Sequence, residues 1–357
     1  MKSIYIELTH QCNLRCPHCY NMSGDDCTEL SQEILFSLFR AIGSDDTENW
    51  QIALSGGEPL MRKDISEIIR ECAKYSNIQV ILLTNGIMLE KILDEFLICD
   101  HPIDIQVSLD GMSENSNDFI RGKGSFIKIT QSIRKLVKAG YKGCNLKMTI
   151  NKMNYMEVSD FVDFALKNDC IPRFSFLNRQ GNAALNWEKL ELSPEKKISV
   201  LNNLKSILSA REEEFKALDP KIDIISIIPV ITVDCPLLHE ESGISVSIKP
   251  NGDVQPCQDL YDSFFSIGNI YENDFNSIVD RRKNIRFRTV IDFLNNRREL
   301  LRINKCKDCC IKEKCGTGCP GKMLNETETL IDLDSFCGIR RGMVNIKMLK
   351  RKKMKNG

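Results

Sequence analysis

Along the first half of the chain, short apolar, β-branched runs alternate with longer stretches of helical period. The runs "SIYIELT" (3–9), "QIALSG" (51–56), "IQVILLTN" (78–85), "DIQVSLD" (104–110), "NLKMTIN" (145–151) and "RFSFLN" (173–178) have the character of buried parallel strands. Between them, residues 31–42 repeat Ile34, Leu35, Leu38, Phe39 and Ile42 at helical spacing. A second helix is expected to open with Asp64 as N-cap and Glu67 three places on, burying Ile65, Ile68, Ile69 and Cys72. Ser125 is expected to cap a third that turns Phe126, Ile129, Ile133 and Val137 inward and ends at Gly140. Helical patterns over 87–97 and 157–168 complete six strand–helix units. Right-handed crossovers make of these an α/β fold, an open or partial barrel whose active groups belong at the carboxyl ends of the strands.

The informative polar positions fall at those ends. "CNLRCPHC" follows the first strand, "SGGEP" the second and "TNG" the third, while "SLDG" ends the fourth. Each of the last three is an ordinary turn by itself; together, beside a cysteine triplet, they outline a site. Gly56 and Gly57 let backbone approach a ligand closely. Glu58 is placed either to hold a cationic ammonium or to brace the loop, and Ser108 and Asp110 to reach a carboxylate or a ribose hydroxyl.

Composition narrows the setting. The 357 residues carry 49 basic and 49 acidic side chains, a balance that gives no reason to expect a nucleic-acid partner. The one lopsided stretch, the basic tail at 346–357, reads as a solvated end. No apolar run is long enough to cross a membrane; the longest, "IISIIPVITV" (224–233), is expected to be a strand or buried segment. Glu7, His10 and Gln11 interrupt any signal-peptide core, so a cytoplasmic protein is expected. In a reducing compartment, 16 cysteines point to metal or redox chemistry rather than disulfides.

Cys12, Cys16 and Cys19 are three thiols where a structural zinc site needs four. Three thiolates on a short loop stiffened by Pro17 suit a cubane iron–sulfur cluster with one open iron, whose potential reaches low enough for difficult reductions. In this respect the chain resembles the radical S-adenosylmethionine enzymes: "CNLRCPHC" has their Cys-x3-Cys-x2-Cys spacing, with His18 where an aromatic ring usually sits, and "SGGEP" is similar to their methionine-amino motif. The resemblance covers about residues 3–178 and implies a partial (β/α)6 TIM-like barrel. It implies that the open iron chelates S-adenosylmethionine, whose reductive cleavage gives a 5′-deoxyadenosyl radical. Carried over by position, Gly56, Gly57 and Glu58 would serve the methionine amino group. Ser108 would serve the carboxylate or ribose, and Leu177 the adenine. Arg121 would contact the carboxylate or the substrate, or form a surface ion pair.

A second cysteine set gathers late in the chain. "ISVSIKPNGDVQPC" reads as a hairpin turning at 250–252 and ending at Cys257, with Cys235 just before it. "CKDCCIKEKCGTGC" then supplies Cys306, Cys309, Cys315 and Cys319, followed by Cys337. Spacing alone allows a zinc ribbon in a cysteine-rich interaction protein, although seven cysteines do not divide into four-ligand zinc sites. The pattern resembles the SPASM extension of radical enzymes, which carries two auxiliary 4Fe–4S clusters and so implies three clusters in all. By that resemblance Cys306, Cys309, Cys315 and Cys337 would ligate the outer cluster, and Cys235, Cys257 and Cys319 the inner one. The inner fourth position would be open or filled by His239, Glu240 or Glu241. The expected organisation is a barrel core at 1–178, a helical bridge at 179–234, a SPASM domain at 235–345 and the tail. Of the six remaining cysteines, Cys72, Cys99, Cys144 and Cys170 are expected in the core. Cys27 and Cys310 are the candidates for a thiol that returns a hydrogen atom to a substrate radical.

SPASM enzymes mostly act on peptides or proteins, which implies a maturase that installs a crosslink, thioether or epimerised residue. The rival is an anaerobic sulfatase maturase that makes formylglycine. Against it, Gln258 stands where those enzymes tend to carry an aspartate, which comes one place later at Asp259. With the motif starting at Cys12, no leader-binding domain fits upstream, so a separate protein or the bridge would bind a leader. An external electron donor such as flavodoxin or ferredoxin is also implied.

Overall fold

A computed structural model of the chain describes residues 2–44, 47–93, 103–232, 234–239, 243–327, 329 and 331–342. Six parallel strands form its centre: β1 (Lys2–Glu7), β2 (Trp50–Ser55), β3 (Ile78–Thr84), β4 (Asp104–Ser108), β5 (Cys144–Ile150) and β6 (Ile171–Phe176). They are hydrogen-bonded in the order β6-β5-β4-β3-β2-β1, the partial barrel expected from six successive strand–helix units. Ile4, Ile52, Val80, Ile105 and Leu146 are all but inaccessible, as a parallel sheet covered by helices requires. Burying each such side chain contributes about 1.5–3 kcal/mol.

The helices arise for mostly local reasons. Ser31 caps Gln32–Gly43 by accepting from Ile34 N at 3.3 Å. Asp64 does occupy the N-cap position of Ile65–Ala73, but its carboxylate makes no cap bond. Instead it takes the Arg62 guanidinium in two bonds of 2.9 and 2.7 Å, a stronger bidentate partner than a backbone N–H. Ser125 is not a cap but the first residue of Ser125–Lys138. Asp118, from the preceding helix Glu114–Arg121, accepts from Gly124 N, Phe126 N and Ser125 Oγ at 2.5, 2.8 and 2.9 Å. Of the helix expected at 87–97, Leu89–Ile92 is a 3-10 turn and Leu93 is helical, and 94–97 lie outside the described residues. Cys99, Glu240, Glu241 and the tail at 346–357 also lie outside the described residues. Cys72, Cys144 and Cys170 are buried as expected.

Of the two expectations for 224–233, no strand forms among residues 224–232, which are instead a partly buried segment. It makes a 3-10 turn at Ile224–Ile227, buries Ile227 and Ile231, and exposes Val230 beside Pro229, which has no N–H for a ladder. The bridge supplies the helix Pro194–Ala210, which packs on Val158–Lys167 and on Cys337–Gly342.

The hairpin is present: β7 (Ser245–Ile248) and β8 (Asp253–Gln255) pair antiparallel around Gly252, whose φ of +87° suits the turn. Its place was not legible in the sequence. β7 lies parallel to β1, with Ser3 opposite Ser245 and Ile6 opposite Ile248. A short β9 (Gly268–Asn269) pairs with β8, so one nine-stranded sheet runs from the barrel into the cysteine-rich region.

Candidate functional site

The loops at the carboxyl ends of β1 to β6 enclose a cavity of about 470 Å³. Cys12, Cys16 and Cys19 all line it, on the loop that leaves β1. Backbone bonds from Cys12 N to Gly24 O (2.9 Å) and Cys19 N to Cys16 O (3.1 Å) fold that loop back on itself. The glycine turn after β2 then docks onto it, with Gly57 N donating to Thr9 O at 2.7 Å and Glu58 N to Gln11 O at 2.9 Å. A Cβ at Gly57 would stand 2.2 Å from Gln11 O, and one at Gly56 2.4 Å from Thr9 O. The two glycines therefore permit close approach, as read from the sequence, but what approaches first is the cysteine loop's own backbone.

Glu58 faces away from the cavity. It is fully buried, and its carboxylate accepts from Leu60 N (3.1 Å), Thr84 Oγ1 (2.8 Å) and Asn85 N (2.7 Å). Of its two expected uses, the structure shows the brace. Burial pushes its carboxyl pKa up, opposed by these bonds. Asp110 also turns back beneath the strand ends, so it does not reach a ligand in the cavity. It takes His18 Nε2 at 2.9 Å, Arg121 Nη2 at 2.6 Å and Thr149 N at 2.7 Å. Burial opposes ionisation of Asp110, yet Arg121 and His18 hold it well below the usual carboxylate range. Arg121 is thus no surface ion pair but a buried one that still lines the cavity.

His18 is brought to the cavity between Cys16 and Cys19. Burial alone would favour its neutral ring; the Asp110 carboxylate outweighs it and pushes the pKa up to about 9. Burial pushes Cys12 up to about 12 and raises Cys19. For Cys16 burial is outweighed by the His18 hydrogen bond and the Arg121 charge, which together favour its thiolate. Ser108, Gly56, Gly57 and Leu177 complete the expected residues that line the cavity. Lys147, Asn178 and Gln180 line it as well and were not foreseen; they lie on or just after β5 and β6 in no recognisable motif.

Another unforeseen element clamps the cysteine loop from the bridge. Asn182 N donates to Cys19 O at 2.8 Å, Asn182 Nδ2 to Cys16 O at 3.2 Å and Asn186 Nδ2 to Pro17 O at 3.2 Å. Gly181, at φ +57°, lies so close to Tyr20 O that a Cβ would stand 2.3 Å away. A buried carboxylate, Glu7, links three regions: it accepts from Tyr20 OH at 2.9 Å and from Tyr261 OH at 3.1 Å, while Tyr5 OH lies 3.1 Å from Tyr20 OH.

The later cysteines gather in two groups. Cys306, Cys309, Cys315 and Cys337 line one small enclosed space beside Arg340. Cys235, Cys257 and Cys319 stand within electrostatic reach in sequence, Cys235 to Cys257 and Cys257 to Cys319. The buried pair Asp334–Arg340 ties the groups together, since Asp334 Oδ2 accepts from Cys319 N at 3.1 Å and both its oxygens take Arg340 Nη1, at 2.8 and 3.0 Å. His239 joins neither group; its ring is half-exposed and its Nε2 lies 2.9 Å from Asp234 Oδ2. Cys27 and Cys310 are exposed and outside the cavity, so neither is placed to return a hydrogen atom there. Among the described residues, no three or more His, Cys, Asp or Glu side chains gather as they would around a single ion. No helix described is long and apolar enough to cross a membrane.

Comparison with known proteins agrees with this geometry. Residues 6–165 match the model of the radical SAM superfamily, and residues 240–310 that of the SPASM iron–sulfur cluster-binding domain. The chain is 31% identical over 189 residues to the mycofactocin maturase MftC of Mycobacterium ulcerans, an alignment covering 52% of this chain and 49% of that protein. The chain thus spans about half the length of the curated relatives it matches. Among solved structures, it resembles Streptococcus suis SuiB bound to the precursor peptide SuiA (TM-score 0.70, 16% identity, 94% of this chain and 75% of that one). It also resembles native anSMEcpe with bound AdoMet (TM-score 0.68, 16% identity, 100% of both chains). At these identities the structural likeness speaks for the fold. The two family matches, on one continuous sheet with three thiols at its strand ends, make this chain a member of the radical SAM superfamily with a SPASM region.

Proposed function

We propose that the protein is a radical S-adenosylmethionine maturase that abstracts hydrogen from a peptide to install a crosslink or thioether. The observation that carries this reading is the convergence of Cys12, Cys16 and Cys19 on one cavity with the glycine turn and the polar ends of β4 to β6. Three thiols fit a cubane cluster with one iron free for a ligand, and a closed zinc site would require a fourth. The cavity wall also holds polar atoms that are buried without a partner, Arg121 Nε, Asn178 Oδ1 and Gln180 Nε2. Such atoms are costly unless a ligand satisfies them, and a zwitterionic amino acid carrying a nucleoside has groups of the right kind. When bound, the cluster and S-adenosylmethionine together supply a 5′-deoxyadenosyl radical.

In this reading Arg121, Lys147 and Ser108 hold carboxylate and ribose oxygens, the backbone of Gly56 and Gly57 meets the methionine amino group, and Leu177 packs on the adenine. His18 is fixed by Asp110 against the cysteine loop and contacts the nucleoside from that side. The outer group, Cys306, Cys309, Cys315 and Cys337, and the inner group, Cys235, Cys257 and Cys319, hold two auxiliary clusters, three in all. An external donor such as flavodoxin or ferredoxin supplies electrons, and a separate protein presents the peptide leader. The peptide substrate is supported by the maturase MftC and by the peptide held in the SuiB structure. Among the described residues, Cys12, Cys16 and Cys19 are the only cysteines facing the cavity. An epimerase needs a further thiol there, which is why crosslink or thioether formation is favoured over epimerisation.

The test is anaerobic reconstitution with iron and sulfide, followed by dithionite and S-adenosylmethionine. About twelve irons per chain and formation of 5′-deoxyadenosine are expected. Cys16→Ala should lose about four irons and all product. Product from the Cys16→Ala enzyme, or tightly bound zinc with little sulfide, overturns the reading.

A further inference from the structure

The inner cysteine group has three thiols; of the residues first considered for its fourth position, His239 is turned to Asp234, and 240 and 241 lie outside the described residues. Among the described residues, Asp259 is in contact with two of these thiols. Its Oδ2 lies 3.4 Å from Cys319 Sγ, and its own N–H donates to Cys257 Sγ at 3.4 Å. Cys257 is in turn in reach of Cys235.

Three elements hold this aspartate in place. Asn178, just after β6, donates to its Oδ1 at 3.4 Å. Asn325, from the helix Pro320–Glu326, donates to its carbonyl at 3.1 Å. Gly321 of the same helix packs so closely that a Cβ would stand 2.6 Å from the Asp259 Cβ and carbonyl oxygen. No ion pair to Asp259 forms among the described residues. A half-buried carboxylate in contact with two thiols and without an ion-pair partner among the described residues is an arrangement that a cationic metal centre neutralises.

We propose that Asp259 is the fourth ligand of the inner auxiliary cluster, its single oxygen donor beside Cys235, Cys257 and Cys319. The proposal rests on the assignment of those thiols to a cluster under the proposed function. Asp259 also lines the catalytic cavity. A substrate entering from that side then meets a carboxylate on a closed cluster and not an open iron, so the inner cluster exchanges electrons without binding the peptide directly.

The wild-type protein, Asp259→Ala and Asp259→Cys are reconstituted anaerobically, reduced, and examined by EPR with and without added imidazole. Saturating S-adenosylmethionine is present throughout to occupy the barrel cluster. The wild-type spectrum should not respond to imidazole. Asp259→Ala should either gain an imidazole-dependent signal or lose about four irons per chain. Asp259→Cys should restore full iron and the lack of response, with the inner-cluster signal shifted. An imidazole response in the wild type overturns the proposal, as does an Asp259→Ala spectrum that superimposes on the wild type under both conditions. Loss of turnover with unchanged spectra would assign the carboxylate to the substrate and also overturn it. If instead Cys235→Ala retains all its iron, the assignment of the inner thiols fails, which is a separate result.

Discussion

Glu58 separates two explanations of the glycine turn, because the sequence allows it to hold an ammonium or brace a loop while the structure shows it bracing. Its Oε1 accepts from Leu60 N and Thr84 Oγ1, and its Oε2 from Asn85 N, which pins the turn after β2 to the loop after β3. In Glu58→Gln the amide keeps one oxygen for the first pair of donors. Its nitrogen then faces the Asn85 N–H, so one charge-assisted bond is replaced by two donors in contact. A hydrogen bond to a charged group is worth about 1.5–3 kcal/mol, and an unsatisfied buried N–H costs about 1–3 kcal/mol. Glu58→Gln should therefore lose about 2–4 kcal/mol of unfolding free energy. That is a large share of the roughly 5–15 kcal/mol typical of a domain. The measurement is urea unfolding under anaerobic conditions without S-adenosylmethionine, alongside calorimetric binding of that ligand to the folded variant. The brace predicts a clear fall in midpoint and, at temperatures where the variant is folded, affinity close to wild type. A variant as stable as wild type that binds S-adenosylmethionine at least about tenfold more weakly, a loss of about 1.4 kcal/mol, would refute the brace and restore the ammonium contact.

Three further outcomes follow from buried charges. Asp110→Asn leaves Arg121 and His18 buried without their shared partner, and should cost about 3–5 kcal/mol in chemical denaturation, where a surface pair would cost under about 1 kcal/mol. Lys147 lines the cavity, and burial, helped by the Arg173 charge, pushes its pKa down to about 8 from 10.5. Above pH 8 it sheds a proton that the unfolded chain still holds up to pH 10.5. Stability should therefore rise with pH across that window while affinity for S-adenosylmethionine falls, and Lys147→Met should abolish both steps in pH-resolved unfolding and binding. Arg297, 4% exposed on the helix Ile285–Asn304, feels the charges of Cys319, Cys235 and Cys306 from both auxiliary groups. Arg297→Met removes a cation that favours the reduced, more negative clusters, and should lower an auxiliary potential in redox titration by about 60 mV, or about 1.4 kcal/mol. An unchanged potential would place the guanidinium out of reach of both clusters.

The barrel and its thiols could be read from the sequence because their signals are local. A strand such as 78–84 announces itself by composition, and Cys12, Cys16 and Cys19 by spacing on one loop. The misreadings share a different cause, in which a distant or stronger partner overrides a local preference. Asp64 has the position of a cap, but the Arg62 fork is a better partner than a backbone N–H. Ser125 has the composition of a cap, but the Asp118 carboxylate from the helix before it does the work. Residues 224–232 have strand composition, but Pro229 offers no N–H to a ladder, and Ile224–Ile227 form a turn. Asn182 and Asn186 clamp the cysteine loop from a position some 160 residues away in sequence, and no periodicity reports such a contact. Likewise Asp259 was visible only as a residue one place removed from a familiar pattern. Its approach to Cys319 depends on a helix 60 residues further on.

The pairing of β7 with β1 gives these separate features a common frame. Parallel pairing in fixed register, Ile6 opposite Ile248, sets which face each residue of the hairpin presents, because a one-residue slip would reverse every side chain. Held in that register, β8 delivers Cys257, Gln258 and Asp259 to the end of the sheet where the β1 loop delivers Cys12, Cys16 and Cys19. Glu7 closes the joint: one oxygen accepts from Tyr20 next to the barrel thiols and the other from Tyr261 next to the hairpin cysteine. A buried carboxylate with both oxygens satisfied is costly to disturb, since either tyrosine leaving strands a charge in a low-dielectric interior. The two cysteine regions are therefore not modules joined by a tether. They are neighbouring loops of one sheet, and Gln258 and Asp259, next to the hairpin cysteine, line the same cavity as the barrel triplet because the strands that carry them are hydrogen-bonded side by side.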